Sequence, residues 1–234
     1  MGARQLKVGG ITAFSATDYP GKLAAVVFVQ GCPWRCGYCH NPHLQDRAGA
    51  PALAWRAVLD LLSRRTGLVD AVVFSGGEPT TDPALARAIG EVKAMGFKVG
   101  LHTACVYPRR LASVLPLLDW VGFDIKAPFA QYQRITGVAG SGKGARECAR
   151  LILASGVACE CRTTIHPSLL AQDEVYALAA TLAAMGVRNY ALQLFRAQGC
   201  GDSVLNAAST AGYPDPSTLA AIGALFERFT LRRS

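Results

Sequence analysis

The sequence predicts an α/β fold, with about six strand–helix units in one domain wound as a curved but open parallel sheet. Three observations lead there. Short apolar runs rich in β-branched and aromatic residues alternate with longer segments whose apolar residues recur at helical spacing. Gly, Pro, Asp and Ser punctuate the boundaries between the two kinds of segment. The 234 residues, 51% of them hydrophobic, suffice for one sizeable core, and no stretch reads as a linker. Repeated strand–helix units imply parallel strands joined by right-handed crossovers. About six units fall short of the eight that close a full barrel, so the expected shape is a partial TIM-like barrel, (β/α)6.

Residues 1–23 read as a lead-in, 24–200 as the core units and 201–234 as a C-terminal loop and helix of the same single domain. Gly9 to Gly21 reads as extended chain with a turn at Asp18-Tyr19-Pro20-Gly21. Ala24 to Val29 is the first buried strand. A helix follows with Trp55, Val58, Leu59 and Leu62 on one face and Gly67 as its C-terminal cap. Ala71 to Phe74 is the second strand. Asp82 as N-cap and Pro83 at the first helical position open a helix carrying Leu85, Ile89, Val92 and Met95, closed by Gly96. Phe97 to Leu101 is a strand, with a helix from about Pro108 to Leu118. Trp120 to Ile125 and Val157 to Ile165 are strands, separated by a helix from Gly144 to Ala154. Val175, Leu178, Ala179 and Leu182 mark the next helix, and Asn189 to Phe195 the sixth strand. Pro216 starts a last helix that turns Leu219, Ile222, Leu225, Phe226 and Phe229 inward.

In such sheets the ligand lies beyond the carboxyl ends of the strands. The polar residues fall there. Three cysteines follow the first strand, Ser75 to Glu78 the second, and His102-Thr103 the third. Asp124 and Lys126 follow the fourth, Arg162 to Thr164 and His166 the fifth, and Gln193 and Arg196 the sixth. All six ends are expected to face one cavity.

The loop Gly31-Cys32-Pro33-Trp34-Arg35-Cys36-Gly37-Tyr38-Cys39-His40-Asn41-Pro42 crowds three thiols into one turn-rich stretch. Convergent thiolates are metal ligands, and three of them leave a coordination position open for a substrate or cosubstrate. A structural zinc site would draw on Cys36, Cys39, His40 and His43. The run Cys36-Gly37-Tyr38-Cys39-His40 also fits the c-type haem signature, which normally accompanies export. Disulfides are a third possibility, set against the chain's capacity to build its own core.

In Ser75-Gly76-Gly77-Glu78-Pro79 the two glycines let the backbone approach a ligand and offer unblocked N–H and C=O groups, while Glu78 can accept from an ammonium. Asp124 and Lys126 flank Ile125, and strand alternation places both on the face opposite it. No role is assigned to the four histidines, which more often serve as satisfied hydrogen-bonding residues. Cys105, Cys148, Cys159, Cys161 and Cys200 read as small buried hydrophobes of a reducing compartment. The formal charge of +8 comes from dispersed Lys and Arg, which speaks against nucleic acid and suits steering of an acidic partner. No apolar run has membrane-crossing length and Met1 to Phe14 has no apolar signal core, so a soluble, cytoplasmic protein with no membrane partner is expected.

Cys32, Cys36 and Cys39, spaced C-x-x-x-C-x-x-C with Tyr38 before the last, resemble the cluster loop of radical S-adenosylmethionine enzymes. The resemblance implies three thiolates on a [4Fe-4S] cluster, a fourth iron that takes the amino and carboxylate groups of S-adenosylmethionine, and Tyr38 near the adenine. Ser75, Gly76, Gly77 and Glu78 are similar to the superfamily's Gly-Gly-Glu motif, which contacts the amino group. Asp124 and Lys126 resemble the pair in glycyl-radical activating enzymes that binds the ribose and carboxylate ends, with Thr103 near the same carboxylate and Arg162 lining the cavity. His102 departs from the Asp that related activases often carry, which leaves a monovalent cation site open.

Longer runs, among them Thr17-Asp18-Tyr19-Pro20-Gly21-Lys22, Cys39-His40-Asn41-Pro42, Asp119 to Lys126, Arg162 to Pro167 and Gln193 to Arg196, are similar to the anaerobic ribonucleoside-triphosphate reductase activating proteins. This implies an enzyme that takes an electron from a low-potential donor of flavodoxin or ferredoxin type, cleaves S-adenosylmethionine reductively and leaves a glycyl radical on that reductase. The alternatives are an activase of the pyruvate formate-lyase type, a small-molecule enzyme such as 7-carboxy-7-deazaguanine synthase, and a zinc-binding interaction module.

Overall fold

The computed structural model describes residues 5–233. The first four residues of the lead-in and the C-terminal Ser234 lie outside the described residues. One eight-stranded sheet runs in sequence order from β1 (Val8–Ser15) and β2 (Ala24–Val29) through β3 (Ala71–Gly76), β4 (Lys98–Thr103), β5 (Trp120–Asp124), β6 (Ala158–Ile165) and β7 (Asn189–Leu194) to β8 (Arg228–Arg232). β1 pairs antiparallel with β2, and every later neighbour pair is parallel. The sheet therefore has two edges, β1 and β8, as an open barrel requires.

Helices fill the crossovers: α1 (Trp55–Ser63), α2 (Leu85–Ala94), α3 (Pro108–Val114), α4 (Tyr132–Thr136), α5 (Ser141–Ala154), α6 (Gln172–Ala184), α7 (Ser203–Ala207) and α8 (Pro216–Gly223). None of the described helices is long and apolar enough to cross a membrane.

Strand alternation divides the core into two. Ala25, Val27 and Val29 of β2 and Val72 and Phe74 of β3 pack under the helical layer with Trp55, Val58, Leu62 and Ile89. Ala24, Val26, Ala71 and Val73 face the other way and form a small separate cluster with Tyr19 and Trp120. Tyr19 stacks on Trp120 with ring centroids 5.1 Å apart. These two rings fill the inside of the curved sheet near the amino ends of the strands.

Five features differ from the sequence reading. The lead-in contains a full strand, β1, where turn residues suggested only extended chain. Its glycines hide the strand signal, because what fixes β1 is pairing to β2 rather than local propensity. The last helix stops at Gly223, and Phe229 lies in β8 beside Tyr190 of β7. Arg228-Phe229-Thr230-Leu231-Arg232 alternates with period two, yet Phe229 also falls three and four residues from Phe226 and Leu225, so helical spacing absorbed it. The helix expected to reach Leu118 ends at Val114, and Pro116 sits in a tightened final turn over Leu115–Leu117. The helix expected from Gly144 begins at Ser141. The short helices α4 and α7 were not foreseen; five residues carry too little periodicity to read.

Candidate active site

A cavity of about 210 Å³ opens at the carboxyl ends of the parallel strands, and every strand from β2 to β7 contributes to its wall. Cys32, Cys36, Cys39 and Tyr38 come from the loop after β2. Ser75, Gly76 and Gly77 come from the end of β3, and His102 and Thr103 from β4. Asp124 and Lys126 follow from β5, Arg162 and Thr164 from β6, and Gln193 from β7.

Backbone contacts fix the cysteine loop. The N–H groups of Gly31 and Cys32 donate to the carbonyls of Leu44 and Gln45 at 2.8 and 3.0 Å, and that of Cys39 closes a turn onto Cys36 at 3.1 Å. The adjoining β3 exit passes directly beneath. Gly77 N–H donates to Val29 at 2.9 Å and Glu78 N–H to Gly31 at 2.8 Å. A Cβ at Gly76 would lie 2.5 Å from the Val29 nitrogen, and one at Gly77 2.5 Å from the Gly31 oxygen. Gly76 also has φ +113°, a region L side chains rarely enter. The glycine pair thus lets two wall segments touch each other as well as leaving backbone bare toward the cavity.

Glu78, expected to contact the ligand, does not line the cavity. Its carboxylate is fully buried and accepts from Thr80 N–H and Oγ1 at 3.1 and 2.6 Å, from Thr103 Oγ1 at 3.0 Å, and from Ala104 N–H at 2.8 Å. Burial raises its pKa while these donors pull it back, and the upward push prevails. Its side chain ties the end of β3 to the end of β4.

Asp124 and Lys126 lie together as the alternation required, with Lys126 Nζ 3.5 Å from Asp124 Oδ2 and 5.3 Å above the Tyr38 ring. Burial opposes the ammonium charge, but Tyr38, Asp124 and Cys36 outweigh it, and Lys126 holds its proton well above the usual range. Tyr38 Oη is buried without a hydrogen-bond partner among the described residues. Burial also pushes the Cys36 thiol up, and that of Cys32 to about 11.

Arg162 Nη2 is buried without a hydrogen-bond partner among the described residues, while Nε donates to Glu160 at 2.8 Å and the guanidinium sits 5.1 Å over the Trp120 ring. His102 lies between Arg162 and the β1–β2 turn. Its Nε2 is 2.8 Å from the Asp18 carbonyl, which can only accept, so the proton resides there and Nδ1 accepts from Ser75 Oγ at 3.3 Å. Arg162 Nη1, 3.2 Å from that protonated nitrogen, therefore has no acceptor in His102. Burial and the Arg162 charge push the His102 pKa down to about 3, so the ring is neutral.

Two further expectations are corrected. Arg196 is exposed and His166 is buried against Phe195, and neither lines the cavity, because the chain turns away after β6 and β7. His43 lies exposed in the turn Pro42–Leu44, so the four-ligand zinc set is not assembled. Among the described residues no three His, Cys, Asp or Glu side chains gather about a single point that suits one ion. The sequence reading had the three sulfurs converge; in the structure Cys32, Cys36 and Cys39 all line this one cavity. Trp34, Asn41, Gln45 and Ala104 also line the cavity and were not singled out, although the first two stand within the cysteine loop.

Residues 26–189 match the family model of the radical SAM superfamily. The chain belongs to the radical SAM superfamily. A Methanocaldococcus jannaschii protein named as a glycyl-radical enzyme activating enzyme is 30% identical over 204 residues, 83% of this chain and 82% of its own. The pyruvate formate-lyase-activating enzyme of Clostridium pasteurianum is 34% identical over 51% of this chain, and the chain spans about half of that relative (52%). Two solved structures share the fold: Streptococcus suis SuiB bound to the precursor peptide SuiA and Escherichia coli QueE. SuiB has a TM-score of 0.67 at 12% identity, covering 89% of this chain and 48% of its own. QueE has a TM-score of 0.54 at 14% identity, covering 98% and 95%.

Radical SAM enzymes use a [4Fe-4S] cluster and S-adenosylmethionine, and this chain is such an enzyme. The cavity fits both groups. A cluster of four irons gives each thiolate its own iron, so the ligands need to line one wall rather than surround one point. Tyr38 Oη and Arg162 Nη2, both buried and without a hydrogen-bond partner among the described residues, leave hydrogen-bonding capacity for the polar groups of a ligand.

Proposed function

We propose that this radical SAM enzyme activates a glycyl-radical enzyme, the anaerobic ribonucleoside-triphosphate reductase, using a low-potential electron donor of flavodoxin or ferredoxin type. The observation that carries the reading is the similarity to the M. jannaschii activating enzyme along 83% of this chain. The preference for the ribonucleotide reductase rests on the runs Thr17 to Lys22 and Cys39 to Pro42.

Cys32, Cys36 and Cys39 hold the cluster. Tyr38 lies beside the adenine, and the bare backbone of Ser75, Gly76 and Gly77 meets the methionyl end. Asp124 and Lys126 bind at the ribose and carboxylate ends, with Thr103 and Arg162 on the carboxylate side. Glu78 braces Thr103 and the β3 exit rather than reaching the ligand. Together the cofactors supply one-electron cleavage of a carbon–sulfur bond, giving methionine and a carbon radical able to take hydrogen from a glycine α-carbon. The protein's share is to orient the cosubstrate and keep water out. An open sheet leaves the peptide an approach that a closed barrel would deny.

A second reading is a small-molecule enzyme. The 7-carboxy-7-deazaguanine synthase of Methanopyrus kandleri is 30% identical over 131 residues, 47% of this chain and 52% of its own.

The test is anaerobic reconstitution with iron and sulfide, reduction with dithionite, and assay of 5′-deoxyadenosine with and without the reductase. Cleavage accompanied by a glycyl-radical signal on the reductase supports the proposal. Cleavage without that signal, or with a signal only on pyruvate formate-lyase, overturns the choice of partner.

A further inference from the structure

The helices α3 and α5 carry five cations, Arg109, Arg110, Lys143, Arg146 and Arg150, against the single carboxylate Glu147, and all six residues are exposed. Lys143, Arg146, Glu147 and Arg150 lie three and four apart, so they form one stripe along α5. Two shallow grooves border that stripe. One, about 650 Å³, runs between α3 and α5 with Tyr107, Pro108, Ala112 and Leu151 in its wall, and it lies away from the cavity side chains. The other, about 370 Å³, is lined by Phe129, Tyr132, Gly142, Lys143 and Arg146.

This face is tied to the cysteine loop by rings. Trp34 lines the cavity beside Cys32 and Cys36 and packs edge-on against Tyr132, with centroids 5.7 Å apart. Tyr132 stacks on Phe129 at 6.1 Å, and the Arg146 guanidinium lies 4.7 Å over the Phe129 ring. Arg35 N–H donates to Thr136 of α4 at 2.9 Å, fastening the loop to the same wall. Two aromatic contacts thus link the cavity wall to the basic surface.

We propose that the α3–α5 face, centred on Lys143 and Arg146, docks the acidic one-electron carrier that reduces the enzyme. The inference rests on the radical SAM reading above and adds the place of electron entry. An acidic protein is the occupant that the charge imbalance selects, and steering by five cations speeds its encounter at low salt. The step moves one electron: the carrier is oxidised by one electron and the cluster is reduced by one, with no bond or proton exchanged.

The experiment uses the reconstituted holoenzyme and purified flavodoxin. Lys143→Glu and Arg146→Glu, singly and together, are compared with wild type for flavodoxin binding by fluorescence anisotropy and for cluster reduction by flavodoxin hydroquinone in stopped flow. The reduced-cluster signal with dithionite is recorded in parallel, and thermal melting checks folding. Wild-type binding should weaken as salt rises, and the double variant should bind and react roughly ten-fold more slowly with flavodoxin. Its dithionite reaction should be unchanged. Equal reduction by flavodoxin in wild type and double variant overturns the proposal. So does normal flavodoxin reduction with loss of glycyl-radical formation alone, which would place the reductase on this face. A wild-type enzyme that yields no reduced cluster even with dithionite would instead refute the radical SAM reading itself.

Discussion

Glu160 holds Arg162 from below: its Oε1 accepts from Arg162 Nε at 2.8 Å, while Oε2 accepts from Arg232 of β8, also at 2.8 Å. The Arg162 and Glu160 side chains are only 8% and 5% exposed. One carboxylate therefore links the last strand to the one cavity arginine with a free donor. Replacing one partner of such a buried pair leaves the other uncompensated. Glu160→Gln should lower stability by about 2 kcal/mol, read from urea unfolding. It should also weaken S-adenosylmethionine binding roughly ten-fold, read by equilibrium dialysis, with iron content unchanged. Unchanged affinity would show that Arg162 does not depend on this anchor.

Gly76→Ala and Gly77→Ala test how the β3 exit meets the cysteine loop. Each adds a Cβ about 2.5 Å from backbone atoms that cannot move aside like a side chain. Loss of about 2 kcal/mol or more is expected, with iron incorporation falling in step because the loop itself is displaced. Normal iron loading at wild-type melting temperature would contradict the crossing described here.

The thiols and Lys126 should separate cleanly. Ala at Cys32, Cys36 or Cys39 should abolish the visible absorption of the reconstituted cluster, whereas Cys200→Ala should keep it, since Cys200 Sγ hydrogen-bonds the Gly37 carbonyl and the Asp202 N–H and does not line the cavity. Lys126→Ala should retain the cluster spectrum while S-adenosylmethionine binding drops. A Cys32 variant with a full [4Fe-4S] spectrum would remove it from the ligand set.

The pH dependence of stability should report His102. Its pKa is about 3 in the folded protein against the ordinary histidine value of 6.5, so between those values the unfolded chain binds a proton that the folded chain does not. Stability from this residue is full above about pH 6.5 and declines as pH falls toward 3. From pH 7 to pH 5 the loss amounts to about 2 kcal/mol. Urea unfolding at both values should show that slope, and His102→Asn should remove it. An unchanged slope in the variant would assign it to other groups.

Several strand limits and most of the cavity wall were legible in the chain. Ala24–Val29 is an uninterrupted apolar run because a parallel strand is covered on both faces, so composition alone marks its ends. Cys32, Ser75, Thr103, Asp124 and Arg162 stood at strand ends, and in a parallel α/β sheet those ends meet on one side whatever the loops do. Local order was enough for this.

Tertiary pairing decided the rest. β1 is a strand because β2 offers it hydrogen-bonding partners, information absent from its own window, and pairing to β7 decides between the two periodicities that the β8 window carries. Glu78 faces Thr80, Thr103 and Ala104 because only the folded chain brings the β4 end beside it. The partnership of Glu160 with Arg232 spans 72 residues, and that of Glu78 with Thr103 spans 25. Sequence fixed which groups stand at the strand ends, since that follows from spacing along one chain. Which of them keep a free atom toward the cavity depended on neighbours distant in sequence, since hydrogen-bond satisfaction is settled only when separate strands are laid side by side.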